Sequence, residues 1–233
     1  MSDMTIPLIT NELDFLETLV PLAEVRIVET GCGAAHLARE LVSRHPTTEV
    51  VGIEVDERQL AKNLLTPVER LRFEKAGAQA IPFPDASFDG ALMLKSLHHV
   101  PVPLMDQALA ELARVLRPGG WLYVSEPVYA GELNELIRLF NDEGEVRDAA
   151  QAALDRAVAS GRWASAADQR FESPVAFASF DEFEQRMMRP TFADHGIDEA
   201  MVERVRLRYL PHQGPSGARF TRPMHVRLLR ISC

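Results

Sequence analysis

The segment Val25–Ala35, Val-Arg-Ile-Val-Glu-Thr-Gly-Cys-Gly-Ala-Ala, constrains this chain more than any other. An apolar run closes on an acid, Glu29, and turns on Gly31 and Gly33. Ala34 to His45 follows, with Leu37, Ala38 and Leu41 on one helical face. Strand, glycine turn and helix open a parallel α/β sheet. Residues without side chains let a ligand lie against bare backbone, and the first amides of the next helix point at it. A dinucleotide fingerprint, Gly-x-Gly-x-x-Gly, needs a third glycine at position 36, where His36 stands.

Glu49-Val-Val-Gly-Ile-Glu54 reads as a second buried strand that also ends on an acid, 21 residues after Gly33. An acid at about that distance is placed to accept hydrogen bonds from ribose hydroxyls, and its charge disfavours a 2′-phosphate. The glycine turn and this acid together point to an adenosine-containing ligand.

Two later segments choose among such ligands. Residues 80–94 form a proline-punctuated loop feeding an apolar strand, and residues 111–125 a helix end, a Pro-Gly-Gly turn and another strand. This ordered set resembles the class I S-adenosylmethionine (SAM) dependent methyltransferases, most nearly the small-molecule group that includes ubiquinone- and menaquinone-biosynthesis enzymes. The resemblance is good from Val25 to Glu126 and holds only in outline elsewhere. It implies a three-layer Rossmann-like α/β fold with a mostly parallel seven-stranded sheet and an antiparallel last strand.

It also implies SAM as cofactor, S-adenosylhomocysteine as product and a small-molecule acceptor. By the same resemblance Glu29, Gly31, Cys32 and Gly33 line the methionine part of SAM, and Glu54 holds the ribose with Val55 beside the adenine. Ala78 and Gln79 fall near the adenine amino group, and Lys95 and Ser96 at the reactive end. Two positions depart from the family: Ala35 replaces a frequent third small glycine, and Ala78 a frequent aspartate.

The periodicity predicts helices over 12–23, 34–45, 57–65, 104–116 and 180–194, and strands over 25–30, 49–54, 70–74, 88–94 and 120–126. It predicts two last strands over 202–210 and 224–231, joined too closely for a crossover helix and therefore antiparallel. The charged helical stretch 131–160 interrupts the pattern, so 131–175 is expected to be a lid or substrate insertion on one domain spanning 1–233. If strand 202–210 runs with the core, the 211–222 loop emerges on the ligand face. The loop after strand five, Glu126 to Tyr129, emerges there too, so acceptor contacts are expected from Lys95 to His99, Glu126 to Tyr129, the 131–175 segment and the 211–222 loop, with Tyr129, His212 and Arg219 as the named candidates.

Methyl transfer from a sulfonium asks mainly for alignment in a dry pocket. An acceptor that must lose a proton needs a base, for which His98, His99 and His212 are candidates, each with an ordinary structural role as the alternative. Adjacent His98 and His99 are not expected to face the same way on a helix. Cys32 reads as a small filler in the turn. Without Cys-x-x-Cys or His-x-x-x-His spacing no metal is expected, and no Gly-x-Ser-x-Gly elbow is present.

A net charge of −9 disfavours nucleic acid as partner. No apolar run approaches membrane-spanning length and no basic or apolar leader is seen, so a cytoplasmic protein is expected. Seven arginines against one acid from Met201 onward suggest either edge strands with solvated arginines or attraction of an anionic substrate. Two rival functions stand beside the methyltransferase. An NAD-dependent oxidoreductase requires the missing third glycine and lacks a terminal antiparallel hairpin, whereas a non-catalytic SAM-binding protein would share every motif.

Overall fold

The computed structural model describes residues 6–189 and 196–232. The chain runs α1 (Glu12–Glu17), β1 (Arg26–Thr30), α2 (His36–Arg44), β2 (Glu49–Glu54), α3 (Glu57–Leu64), β3 (Leu71–Lys75) and β4 (Phe88–Leu94). It continues through α4 (Met105–Val115), β5 (Leu116–Pro127), α5 (Glu132–Ile137), α6 (Gly144–Ala159), β6 (Trp163–Phe177) and α7 (Phe180–Phe183). Last come α8 (Glu199–Tyr209), β7 (Gln213–Gly214) and β8 (Gly217–Ile231).

The sheet has the order β3-β2-β1-β4-β5-β8-β6, with the two-residue β7 pairing antiparallel to β8 off that path. Strands β1 to β5 run parallel to one another. The expected mostly parallel sheet with reversed final strands is therefore present, seven strands on the main path. The order runs outward in both directions from the β1/β4 pair. That reversal is the topological switch point at which open α/β sheets bind ligands, beyond the carboxyl ends of the strands.

The chain divides into two compact units. The larger holds Asn11–Glu126, Val146–Gln169 and the end of the chain from His225. Its core packs Val28, Ile53, Phe88 and Met93 of the sheet against Met105, Leu109 and Leu112 of α4 and Ala150, Ala153 and Leu154 of α6. Gly90 has no side chain because the Trp121 ring of β5 lies directly over it. The smaller unit holds the start of the chain to Thr10, Pro127–Glu145 and Arg170–Met224. An aromatic cluster of Phe177, Phe180, Phe183, Tyr209 and Phe220 forms its core.

Several expected elements differ. Helix α1 stops at Glu17 rather than at 23, because Pro21 bars a helical residue before it. The 131–160 helix is two helices, α5 and α6. Of the helix expected over 180–194, α7 and a π-helical turn (Glu184–Met188) are seen, and residues 190–194 lie outside the described residues.

The strand expected over 202–210 is instead helix α8. The Val-Arg-Leu-Arg-Tyr alternation from 205 to 209 mimics a strand. Asp198, however, caps the helix through Met201 N–H, and the buried residues Val205 and Tyr209 are four apart, with Leu207 left exposed. Strand β6 was hidden in the 131–175 segment. Its large apolar residues, Trp163, Phe171 and Phe177, share one face but lie eight and six residues apart, too sparse to mark a strand, and it tolerates Pro174 at the end of the sheet order. The C-terminal arginines accordingly are not a pair of edge strands. Arg204, Arg206 and Arg208 lie on α8, and Arg227 is buried against Asp155 at 2.7 Å. No helix among the described residues is long and apolar enough to cross a membrane.

Candidate functional site

In the larger unit, the glycine turn leaves β1 with Gly31 at φ +65° and Gly33 at φ +51°. Gly31 N–H and Cys32 N–H donate to the Ile53 carbonyl at 2.8 and 3.1 Å, tying the turn to β2. A Cβ on Gly31 would come 2.8 Å from the Cβ of Ser96, whose hydroxyl donates to the Thr30 carbonyl at 2.9 Å. Residues Ser96 and Thr30 thus lock the ends of β4 and β1 together at the switch point. Over Gly33 a Cβ would meet nothing within 4 Å, so that face of the turn is open. Ala35 adopts the left-handed conformation at φ +54°, a geometry that costs an L-residue about 1 kcal/mol and explains why glycine suits this position.

Cys32 is buried, and its Sγ fills the space beside Gly52, where a Cβ would approach to 2.9 Å. Burial, with Glu29 and Glu54 nearby, pushes its thiol well above the usual range, so it packs rather than attacks. Asn63 of α3, also buried, donates to the Gly33 carbonyl at 2.7 Å and clamps the turn from the helix side.

Glu54 closes β2 with a carboxylate that accepts three amides: Gly33 at 2.7 Å, Val55 at 2.8 Å and Asp56 at 2.9 Å. It staples the glycine turn to the end of β2, with one of its lone-pair positions left over. The Val55 side chain is exposed beside it. Ala78 is buried in the hydrophobic core with Ile81, and the Gln79 side chain folds over Gly77. The Gln79 carbonyl accepts from Gln107 at 2.9 Å.

Glu29 is only 3% exposed, and its Oε2 has no hydrogen-bond partner. Burial raises its carboxyl from 4.5 to about 8; Lys95 and the Ala38 amide pull it down, Glu12 and Glu54 push it up. Lys95 takes φ +54° just past β4. Its Nζ is 3.3 Å from Oε2 of Glu12 on α1, whose Oε1 accepts the Tyr123 hydroxyl at 3.2 Å.

His98 and His99 lie on a 3₁₀ turn (Leu97–His99). As expected they do not face the same way, His98 turning into the protein and His99 outward, although their rings touch, with centroids 4.1 Å apart. His98 is buried and its Nδ1 bonds Oε2 of Glu126, while Oε1 of Glu126 accepts the amides of Ser96 at 3.1 Å and Leu97 at 2.8 Å. His99 is exposed.

In the smaller unit, the Tyr129 hydroxyl donates to Asp142 at 2.7 Å, a bond that raises its phenol. His212 lies 3.7 Å from Glu132 and against the Phe220 ring, and Arg219 is exposed. The strand that was to deliver His212 and Arg219 to the ligand face is a helix, so that argument for their place is withdrawn.

Asn63 and Glu12 were not singled out from the residues alone, and Glu126 was expected only as part of the acceptor-facing loop 126–129, not as the partner of His98. Glu126 did carry a signal: it closes the fifth strand as Glu29 and Glu54 close the first and second. For Asn63 and Glu12 no local pattern marks the role, since each acts on a residue brought near only by folding.

Residues 28–124 match the family of methyltransferase domains. The chain is 35% identical over 125 residues to 27-O-demethylrifamycin SV methyltransferase of Amycolatopsis mediterranei, covering 50% of this chain and 44% of that enzyme. It is 28% identical over 193 residues to the uncharacterized methyltransferase YcgJ of Bacillus subtilis, covering 76% and 74%. The crystal structure of YcgJ superposes with a TM-score of 0.67 at 21% identity, over 94% of this chain and 97% of that one, which shows a shared fold. The chain spans about half the length of the first curated relatives it matches.

Proposed function

Because residues 28–124 match the family of methyltransferase domains and the fold is shared with YcgJ, we propose that this protein moves the methyl group of SAM to a small-molecule acceptor and leaves S-adenosylhomocysteine. The observation that carries the proposal lies at the switch point. Glu29, near the end of β1 and two residues before the glycine turn, keeps a buried carboxyl oxygen without a partner, and the Gly33 side of that turn is open. A buried polar atom without a partner costs stability unless a ligand satisfies it.

These residues fit the cofactor. Glu29 and the turn Gly31–Gly33 would take the methionine part, Glu54 the ribose through its remaining lone pair, and the exposed Val55 one face of the adenine. Ala78 lies in the core, so polar contact to the adenine falls to backbone near Gln79. Lys95 and Ser96 flank the reactive end. When bound, the cofactor supplies an electrophilic methyl group, and the protein supplies alignment and exclusion of water.

A hydroxyl acceptor must lose its proton. His98 is the candidate base: the Glu126 carboxylate accepts from Nδ1–H and so puts the lone pair on Nε2. Glu126 fixes that tautomer much as an acid orients a catalytic histidine elsewhere. The named activity of the rifamycin relative supports a small-molecule acceptor. Tyr129, His212 and Arg219 as acceptor contacts, one domain over 1–233 and a cytoplasmic setting belong to the same proposal; a lid over 131–175 does not, because α6 packs into the core and β6 joins the sheet.

The test is calorimetric titration of wild type and Glu54→Gln with SAM, S-adenosylhomocysteine and NAD, with thermal melting as the check on folding. Binding of both sulfur nucleotides, weakened by about 1–3 kcal/mol in the variant, is the expected result. Preference for NAD would reopen the dehydrogenase. Binding of SAM with no turnover on any acceptor would favour a non-catalytic role.

A further inference from the structure

Glu12 has no part in the cofactor assignments above, and the methyltransferase-domain match begins only at residue 28. Yet it is the hub of the charges around Glu29. Within the larger unit Glu29 feels Lys95, Glu12 and Glu54, one ammonium and two other carboxyls. The Lys95 side chain is 41% exposed and long enough to move, but Glu12 holds its ammonium at 3.3 Å. Glu12 is itself fixed by the Tyr123 hydroxyl, and the start of α1 is anchored by Asn11 Nδ2 to Glu40 Oε1 at 2.6 Å. Without Glu12, the Lys95 ammonium is left with the attraction of Glu29, whose carboxyl its charge already reaches, and a cation drawn to that unpartnered oxygen would stand beside the glycine turn.

We propose that Glu12 is a positioning residue for cofactor recognition: by retaining Lys95 it keeps the Glu29 oxygen for the cofactor and makes the pocket favour sulfonium over thioether. This rests on the SAM reading of the site. SAM and S-adenosylhomocysteine share every group except the methyl and its positive charge, so the ratio of their affinities isolates the effect. Moving one partly screened charge by a few ångströms is worth about tenfold in affinity.

The experiment is calorimetric titration of wild type, Glu12→Gln, Lys95→Met and the double variant with SAM and S-adenosylhomocysteine. Glu12→Gln is expected to weaken SAM about tenfold more than S-adenosylhomocysteine, and to have no such effect in the Lys95→Met background. An equal loss for both ligands, or a SAM-specific loss that persists without Lys95, overturns the proposal. Should Glu12→Gln unfold, Lys95→Met alone decides: it must keep at least the wild-type preference for SAM, and a reduced preference refutes the role given to Glu12. A wild type that binds neither nucleotide overturns the cofactor reading itself, an outcome distinct from all of these.

Discussion

Replacing Glu29 by glutamine should make the ligand-free protein more stable, and increasingly so as pH rises. The reason is a proton. In the unfolded chain this carboxyl ionises near 4.5, whereas burial in the fold pushes it up to about 8. Below the lower value both states hold the proton and the neutral carboxyl contributes its full stability. As pH rises towards the higher value the unfolded chain ionises and the fold does not, so stability is lost at about 1.4 kcal/mol per pH unit. Above about 8 the loss is complete, because a buried carboxylate is then charged in either case. The full window corresponds to about 5 kcal/mol, which local relaxation and water entry reduce to about 2–4 kcal/mol.

Glutamine has the same shape and no titration. For a chain of this size such a difference is worth roughly 4–16 °C in melting temperature. Thermal unfolding of wild type and Glu29→Gln without nucleotide, at intervals from about pH 5 to 9, reads it directly; other titrating groups cancel in the comparison. The gap should be small at the acid end and widen monotonically to a plateau. A gap that stays constant across the range would mean that Glu29 ionises in the fold as it does in water, and would refute the burial argument.

Gly90→Ala places a methyl group against the Trp121 ring in mid-sheet and should cost about 1–3 kcal/mol in denaturant unfolding; a change under about 0.5 kcal/mol would mean that the sheet relaxes freely there. Asn63→Ala removes the 2.7 Å bond to the Gly33 carbonyl and should weaken SAM binding about tenfold with the sheet intact, as read by calorimetry beside circular dichroism. Glu126→Gln should lower turnover about 10–100-fold while the SAM dissociation constant moves less than about threefold. Equal loss of binding and turnover would assign Glu126 to holding the Ser96 and Leu97 amides rather than to orienting His98.

Most of the fold up to Glu126 was legible because its signals are local. The strands predicted over 49–54 and 88–94 coincide with β2 and β4, since an unbroken apolar run bounded by turn residues has few other uses. Glu29, Glu54 and the glycine turn were legible for the same reason: strand end, turn and helix start are neighbours in the chain. Beyond Glu126 the local signals conflict. Alternation at 205–209 spoke for a strand, and only the Asp198 cap and the packing of Val205 and Tyr209 into an aromatic core resolved it as helix. β6 carries too few large apolar residues to announce itself and exists because the sheet offers it a partner.

By itself, then, the sequence determined a β–α alternation, a glycine turn flanked by acids at two strand ends, and hence where a nucleotide would lie. Tertiary structure decided which distant groups meet. It joined His98 to Glu126, Asn63 to Gly33, and Glu12 to both Lys95 and Tyr123. It also decided that the Glu29 carboxyl holds its proton well above the usual carboxylate range, because the charge state of a side chain is set by what surrounds it in space, and that enclosure is assembled from segments that pattern and spacing leave unconnected.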